Sequence, residues 1–242
     1  MLVRVFEKTR RECWKIIDER YPEPKDKYMI IKELIERDVA RGSMILDAGC
    51  GHWSIIRDCV QANRIGIDEV FEDVKKNDSI DFGICSKLEC LPLKNSSVDL
   101  VASSMVFEHL RQPDNVFAEF HRILKKDGHL IFMTPNIFNV VTLINWMIPN
   151  RFHQSIAFTL TGAQKSDVFP TYYRANSVGR LRAILHRNGF KECEMILFQP
   201  PPYAFVFSKN ICKIAIRYYH FINRHDSLRQ LRGVIISRYR KI

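Results

Sequence analysis

The chain has 242 residues, 46% of them hydrophobic, enough to bury one sizeable core; with no Pro/Gly/Ser-rich linker to divide it, one domain is expected over 1–242. The formal net charge is +10, yet no apolar run reaches the roughly 18 residues of a spanning helix, and the start, with Arg4, Lys8, Arg10 and Arg11, has no signal-peptide apolar region, so a cytoplasmic protein is expected. Seven cysteines without a C-x-x-C pair suit neither a disulfide framework nor a zinc site; they read as reduced core residues, and no metal is expected.

Residues 1–43 read as N-terminal helices. In the second, 28–41, Ile31, Leu34, Ile35 and Val39 share one stripe that stops at Gly42. Met44-Ile45-Leu46 is a short buried strand running into the turn LDAGCGHW (46–53), and a helix is expected over 54–63. Strands follow at RIGID (64–68) and 98–103, then a helix burying Val116, Phe117, Phe120, Ile123 and Leu124 and ending at Asp127-Gly128, then the strand HLIFMT (129–134). After an irregular stretch over 136–176, a helix at 177–188, a strand at 192–198, a helix at 205–224 and a last strand at 233–240 complete the pattern. Alternation of this kind implies an α/β fold with a mostly parallel, doubly wound sheet and helices on both faces, in which ligands sit at the carboxyl ends of the strands. Residues 44–135 would form the cofactor-binding core, 136–176 a helical lid insertion, and 177–242 the C-terminal part.

The turn after the first strand narrows the ligand. Gly49 and Gly51 let the backbone approach a nucleotide, but Asp47, two residues before the first glycine, would repel a pyrophosphate and suits a cationic ammonium or sulfonium. Ser54 stands where the dinucleotide fingerprint ends in glycine or alanine. Asp68, at the end of the next strand, can accept hydrogen bonds from both hydroxyls of a ribose. The alternative is that Asp47 and Asp68 only cap local structure.

DAGCG (47–51), the acid in GIDE (66–69), LECLPLKNSSVDLV (88–101), SSMVFEHL (103–110) and FHRILKKDGHLIFMTPN (120–136) together resemble the class I S-adenosylmethionine-dependent methyltransferases over roughly residues 28–140. The resemblance implies a Rossmann-like seven-stranded sheet and S-adenosyl-L-methionine as cofactor. It places Asp47, Gly49, Cys50 and Gly51 around the methionine and ribose portion, Asp68 on the ribose, and Ser103 or Ser104 near the methyl. Two positions depart from the family pattern. Trp53 replaces a frequent third glycine and is expected to turn outward or line the pocket. Lys87 replaces an acid that bonds the adenine amino group, which shifts adenine recognition to the backbone around Leu88 and to stacking on Ile67, Leu88 or Trp53.

Methyl transfer needs collinear alignment and exclusion of water more than covalent chemistry. For a hydroxyl acceptor a general base helps, and His109, just beyond the 98–103 strand, is the candidate; the alternative is a purely structural residue. The insertion 136–176 offers His153, Asp167, Tyr172, Tyr173 and Arg174 as further candidates, of which His153, Tyr172, Tyr173 and Arg174 are expected to contact the acceptor, and VFPTYYRAN (168–176) also resembles methyltransferases of cell-surface polysaccharide biosynthesis. Residues 203–242 hold nine Lys or Arg and one acid, Asp226. The 205–224 helix would place Lys209, Lys213 and Arg217 on one face and Ile211, Ile214, Tyr218 and Phe221 on the other. It is either packed on a sheet edge with a solvated basic face or rests on anionic lipid at the inner membrane surface. A methyltransferase acting on a small-molecule or glycan acceptor, at oxygen, is the leading expectation. A quinone or lipid methyltransferase at the membrane, an RNA methyltransferase and a non-catalytic cofactor-binding protein are the alternatives, nucleic acid being disfavoured by the lack of an RNA-binding module.

Overall fold

The computed structural model describes residues 2–21, 26–148 and 169–242, and their contacts form two compact units. The larger comprises 27–135, 171–196 and 235–242; the smaller comprises 1–26, 136–170 and 197–234.

The larger unit is built on a seven-stranded sheet. Its strands are β1 (Met44–Ala48), β2 (Asn63–Asp68), β3 (Phe82–Cys85), β4 (Val98–Ser104), β5 (Leu124–Pro135), β6 (Phe190–Phe198) and β7 (Val234–Lys241), in the spatial order β3-β2-β1-β4-β5-β7-β6. The pairs β1–β2, β1–β4, β2–β3 and β4–β5 are parallel, and the order reverses at β1, with β4 on its other side. This is the doubly wound arrangement, and its switch point is where crevices form in such sheets. Helices α2 (Lys27–Asp38), α3 (Phe71–Lys76), α4 (Pro113–Ile123) and α6 (Val178–Arg187) belong to the same unit. The two central strands bury an apolar run, with Ile45, Leu46, Leu100, Val101 and Ala102 fully buried, as expected of strands covered on both faces. Phe107, Phe117, Phe120 and Phe132 form an aromatic cluster between α4 and β5, with ring centroids as close as 4.7 Å.

Three local expectations are corrected. Residues 54–62 form no helix but successive turns, with Arg57 N–H donating to Ser54 O, Cys59 N–H to Ile56 O and Ala62 N–H to Cys59 O. The buried residues Ile56, Cys59 and Ala62 recur every three positions, a period that matches tight i to i+3 turns rather than an α-helix, and β-branched Ile55, Ile56 and Val60 add to the preference. The helix expected to run to Asp127 ends at Ile123, where Leu124 turns extended and β5 begins; Asp127 takes a φ of +62° inside an irregular pairing with β4. The short α3 and edge strand β3, Phe-Gly-Ile-Cys with no buried residue, gave no periodic signal in the sequence.

The smaller unit holds α1 (Leu2–Arg20), α5 (Val140–Met147) and α7 (Lys209–Arg224). Cys13 and Ile17 of α1 pack on Cys212 and Ile216 of α7, and burial pushes the Cys212 thiol up to about 11. Tyr21 stacks on His220 at 4.8 Å. Asn139 caps α5 by accepting from Val141 N–H, and its amide donates to Gln199 Oε1 and Leu231 O.

The buried stripe of α7 is Cys212, Ala215, Ile216, Tyr219 and Ile222, a correction to the face expected from the sequence. At about 100° per residue, that stripe, the basic set Lys213, Arg217 and Arg224, and the exposed apolar set Ile211, Ile214 and Phe221 are centred roughly 120° apart. Lys209 is ion-paired to Glu12 of α1, so it does not belong to a free basic face.

Candidate functional site

The turn that joins β1 to the 54–62 segment is held by its own backbone. Gly49 and Cys50 N–H both donate to Ile67 O at the end of β2, and Gly51 N–H donates to Asp68 Oδ2 at 2.9 Å. Gly49 has φ +80°, and a Cβ there would lie 2.3 Å from Val106 Cγ2, so only glycine lets the chain after β4 close on the turn. Gly51 also has positive φ, but a Cβ there would meet nothing within 4 Å: its α-carbon faces open space. Asn77 supports the turn from α3's end, its amide donating to Cys50 O and Gly51 O.

Asp47 is buried beneath this turn. Its Oδ2 accepts from Ser54 Oγ at 2.5 Å and from Ile55 N–H at 3.2 Å, while Oδ1 is buried with no hydrogen-bond partner. Burial is the main cause that pushes its carboxyl up to about 6, against the opposing hydrogen bonds from Ser54 and Ile55. A buried carboxylate oxygen with no donor is costly unless a cation or donor completes it. Asp68 accepts from Gly51 N–H and Val70 N–H, one on each oxygen, which leaves a lone pair on each for further donors. Orphaned oxygen, open glycine and half-buried acid fit a ligand with a cationic end and vicinal hydroxyls, the pattern of S-adenosylmethionine.

The other expected residues fall in distinct roles. Cys50 is buried, its Sγ 2.8 Å from where Gly66 would carry a Cβ, so it faces the sheet, and burial raises its thiol to about 12; what it offers the turn is backbone. Ser103 spends its hydroxyl on Ala48 O at 2.8 Å, tying β4 to β1, and Ser104 is half-buried at the strand's end. Leu88 is half-buried, whereas Ile67 is fully buried and therefore closed to stacking, a correction. Trp53 is 43% exposed, its ring edge-on to Tyr28 at 5.9 Å and under the Arg57 guanidinium at 5.7 Å, so it turns outward and does not plug the turn. Lys87 is exposed.

Beyond β4 the chain passes Met105, with φ +56°, into a short turn over Phe107–His109. His109 is partly exposed, its Nε2 4.0 Å from Glu108 Oε1. Glu108, not singled out in the sequence, is buried: Thr134 Oγ1 donates to it, Asn176 Nδ2 donates to Thr134, and desolvation raises its carboxyl above the ordinary range. The backbone carbonyl of Glu108 accepts from both Tyr172 and Tyr173 N–H, at 2.7 and 3.1 Å. Nothing local in the sequence marked it, since an acid is ordinarily exposed and the partner that holds this one, Thr134, is distant in the chain.

Tyr172, Tyr173 and Arg174 are thereby brought to the His109 turn. Tyr172 Oη accepts from Arg111 Nε at 2.6 Å, Tyr173 is buried with φ +51°, and Arg174 Nη1 donates to Arg111 O at 2.7 Å. His153 and Asp167 lie outside the described residues. Among the described residues no group of three or more His, Cys, Asp or Glu could hold a metal ion.

Residues 46–132 match a family model described as a methyltransferase domain. An uncharacterised protein of Methanocaldococcus jannaschii is 32% identical over 130 residues, 52% of this chain and 49% of that protein. A malonyl-[acyl-carrier protein] O-methyltransferase of Laribacter hongkongensis is 51% identical over 51 residues, 21% of this chain and 17% of that enzyme. The chain thus spans about half the length of the first relative and less than a fifth of the second. The crystal structure of an S-adenosylmethionine-dependent methyltransferase from Mesorhizobium loti superposes with a TM-score of 0.57 at 18% identity, covering 86% of this chain and 96% of that one, which establishes a shared fold.

Proposed function

We propose that the chain is a class I S-adenosylmethionine-dependent methyltransferase that transfers a methyl group from S-adenosylmethionine to an oxygen of a small-molecule or glycan acceptor, a reading supported by the match of residues 46–132 to the methyltransferase-domain model. The observation that carries the reading is the buried Asp47 Oδ1 with no hydrogen-bond partner among the described residues, together with the open space over Gly51 in the same turn. The cofactor supplies an electrophilic methyl on a sulfonium. Asp47 balances positive charge on the ligand, Asp68 takes the ribose hydroxyls, Gly49 and Gly51 keep the turn thin enough for close approach, and Cys50, Leu88 and Ser104 complete the wall. Ser103 acts indirectly, holding β4 in register with β1 through Ala48 O. His109 takes the proton from the acceptor hydroxyl, worth roughly 10²–10⁴-fold for a positioned general base. Oxygen as accepting atom is supported by the matched O-methyltransferase segment.

Calorimetry with S-adenosylmethionine, S-adenosylhomocysteine and NAD tests the cofactor: the first two bind and NAD does not, and Asp47→Ala and Asp68→Ala each cost about 1–3 kcal/mol for a charge-assisted hydrogen bond. Wild-type affinity in both variants sinks the assignment. A screen of nucleotide sugars and lipid-linked saccharides with labelled cofactor identifies the acceptor class.

A peripheral position on an anionic, inner-face bilayer is favoured by the smaller unit. Ile211, Ile214 and Phe221 of α7 and Leu143, Ile144, Trp146 and Met147 of α5 are exposed, and Lys213, Arg217 and Arg224 flank the α7 set. Apolar side chains beside basic ones match an interfacial surface, at about 1 kcal/mol per basic residue near anionic lipid. No helix among the described residues is long and apolar enough to cross a membrane. Co-sedimentation with phosphatidylserine vesicles at low salt is expected, and none at any ionic strength would defeat this part.

A further inference from the structure

In the larger unit, a cleft of about 560 Å³ lies between the start of α4 and one face of α6 from Arg180 to Arg187, lined by Arg111, Arg174, Arg180 and Arg187 with Asp114 as its carboxylate. Asp114 is spoken for: Arg187 pairs with both of its oxygens at 2.5 Å, and Asn188 Nδ2 adds a third bond. Arg111, Arg174 and Arg180 have no carboxylate partner among the described residues, whereas every other arginine of this unit except Arg41 is ion-paired. Two of the three are nevertheless fixed, by neutral partners. Arg111 donates Nε to Tyr172 Oη and lies 5.1 Å over that ring, and Arg174 spends one nitrogen on Arg111 O. Their remaining N–H groups and the guanidinium of Arg180, which also line the cleft, have no hydrogen-bond partner among the described residues.

Three exposed guanidiniums with no carboxylate beside them give the cleft a local positive field, and planar guanidinium forks match the tetrahedral oxygens of phosphate bidentately. The cleft also continues the site. Arg111 is two residues beyond His109, Tyr172 N–H donates to Glu108 O, and α4 and α6 both start at the carboxyl edge of the sheet, where the cofactor turn lies. We infer that this cleft binds a phosphoryl or diphosphoryl group carried by the acceptor, an inference that rests on the proposed methyl transfer at the end of β4.

The test is calorimetric titration of inorganic diphosphate into the full chain saturated with S-adenosylhomocysteine, so that the two readings fail separately. Expected is salt-sensitive binding that weakens roughly tenfold in Arg174→Gln and again in Arg180→Gln, with Arg41→Gln, the unpaired arginine outside the cleft, unchanged. Arg180 and Arg174 are exposed, so these variants fold. Uridine diphosphate and dihexanoyl phosphatidate, each in competition with diphosphate, tell a soluble carrier from a lipid-borne one. Absence of diphosphate binding to protein that binds S-adenosylhomocysteine, equal binding by the variants, or citrate binding as tightly as diphosphate overturns the inference. Failure of S-adenosylhomocysteine to bind counts against the cofactor reading alone.

Discussion

The two units dispose of their side chains differently. In the sheet unit, the central strands and α4 bury their apolar residues, those left exposed, such as Val60, Phe71 and Phe82, are scattered, and most arginines are matched: Arg64 with Asp81, Arg122 with Glu119 and Arg238 with Asp38 all form close multiple contacts. In the other unit, most of the large apolar side chains of α5 stay at the surface, and α7 buries one sector while presenting two others, one apolar and one basic. Single exposed apolar residues are ordinary on a soluble protein, but clustered ones mark a surface used by something else. Unmatched features in a matched setting carry the functional information here, and they are the orphaned Asp47 oxygen and the three arginines in the one unit, and the bare apolar flank in the other.

The largest effect is expected from Gly49→Ala, in the turn after β1. Left-handed backbone strain and collision with Val106 together predict a loss of about 2–5 kcal/mol in urea unfolding. Val106→Ala in the same chain should restore the collision part only. A loss under 1 kcal/mol would mean that the turn is not closed by that contact.

Within α7, Ile222→Ala should cost about 3 kcal/mol and Ile214→Ala under about 0.5, because the first is fully buried and the second 64% exposed. Equal costs would erase the distinction between packed and free sectors. This distinction was not legible in the sequence. Ile211, Ile214 and Phe221 are as apolar as Ile216, Tyr219 and Ile222, and only the partner helix α1, remote in the chain, decides which sector is covered. The shape of the turn after β1 was legible because Asp47, Gly49, Gly51 and Asp68 act through local spacing and adjacent strands. Glu108 was not, since its burial depends on Thr134 and Asn176, and the 54–62 turns were not, because Asp47 takes the Ser54 hydroxyl and Ile55 N–H that would open a helix there.

Asp47 sharpens the comparison through pH. Its folded pKa stands at about 6, above the ordinary 3.8, so its contribution to the stability of the ligand-free protein is greatest below 3.8 and is lost as pH rises to about 6. A cationic ligand prefers the ionised form, so S-adenosylmethionine affinity should be constant above pH 6 and fall up to tenfold per unit below it. Asp47→Asn should bind weakly with a flat profile; a flat profile in the wild type would remove Asp47 from the site.

The smallest effect is expected at Trp53. Because the ring turns outward onto Tyr28 and Arg57, Trp53→Gly should shift cofactor affinity by less than about 0.5 kcal/mol. A gain of binding absent from the native chain would show that the tryptophan blocks the turn.

Asn176 reaches back across the chain to donate to Thr134 Oγ1 and Pro135 O. That one buried amide ties the chain just before α6 to the end of β5, and through Thr134 it also holds the hydroxyl that donates to Glu108. It works as a weld: the setting of the acid beside His109 depends on a side chain far along the sequence, so Asn176 governs a neighbourhood it does not itself enter.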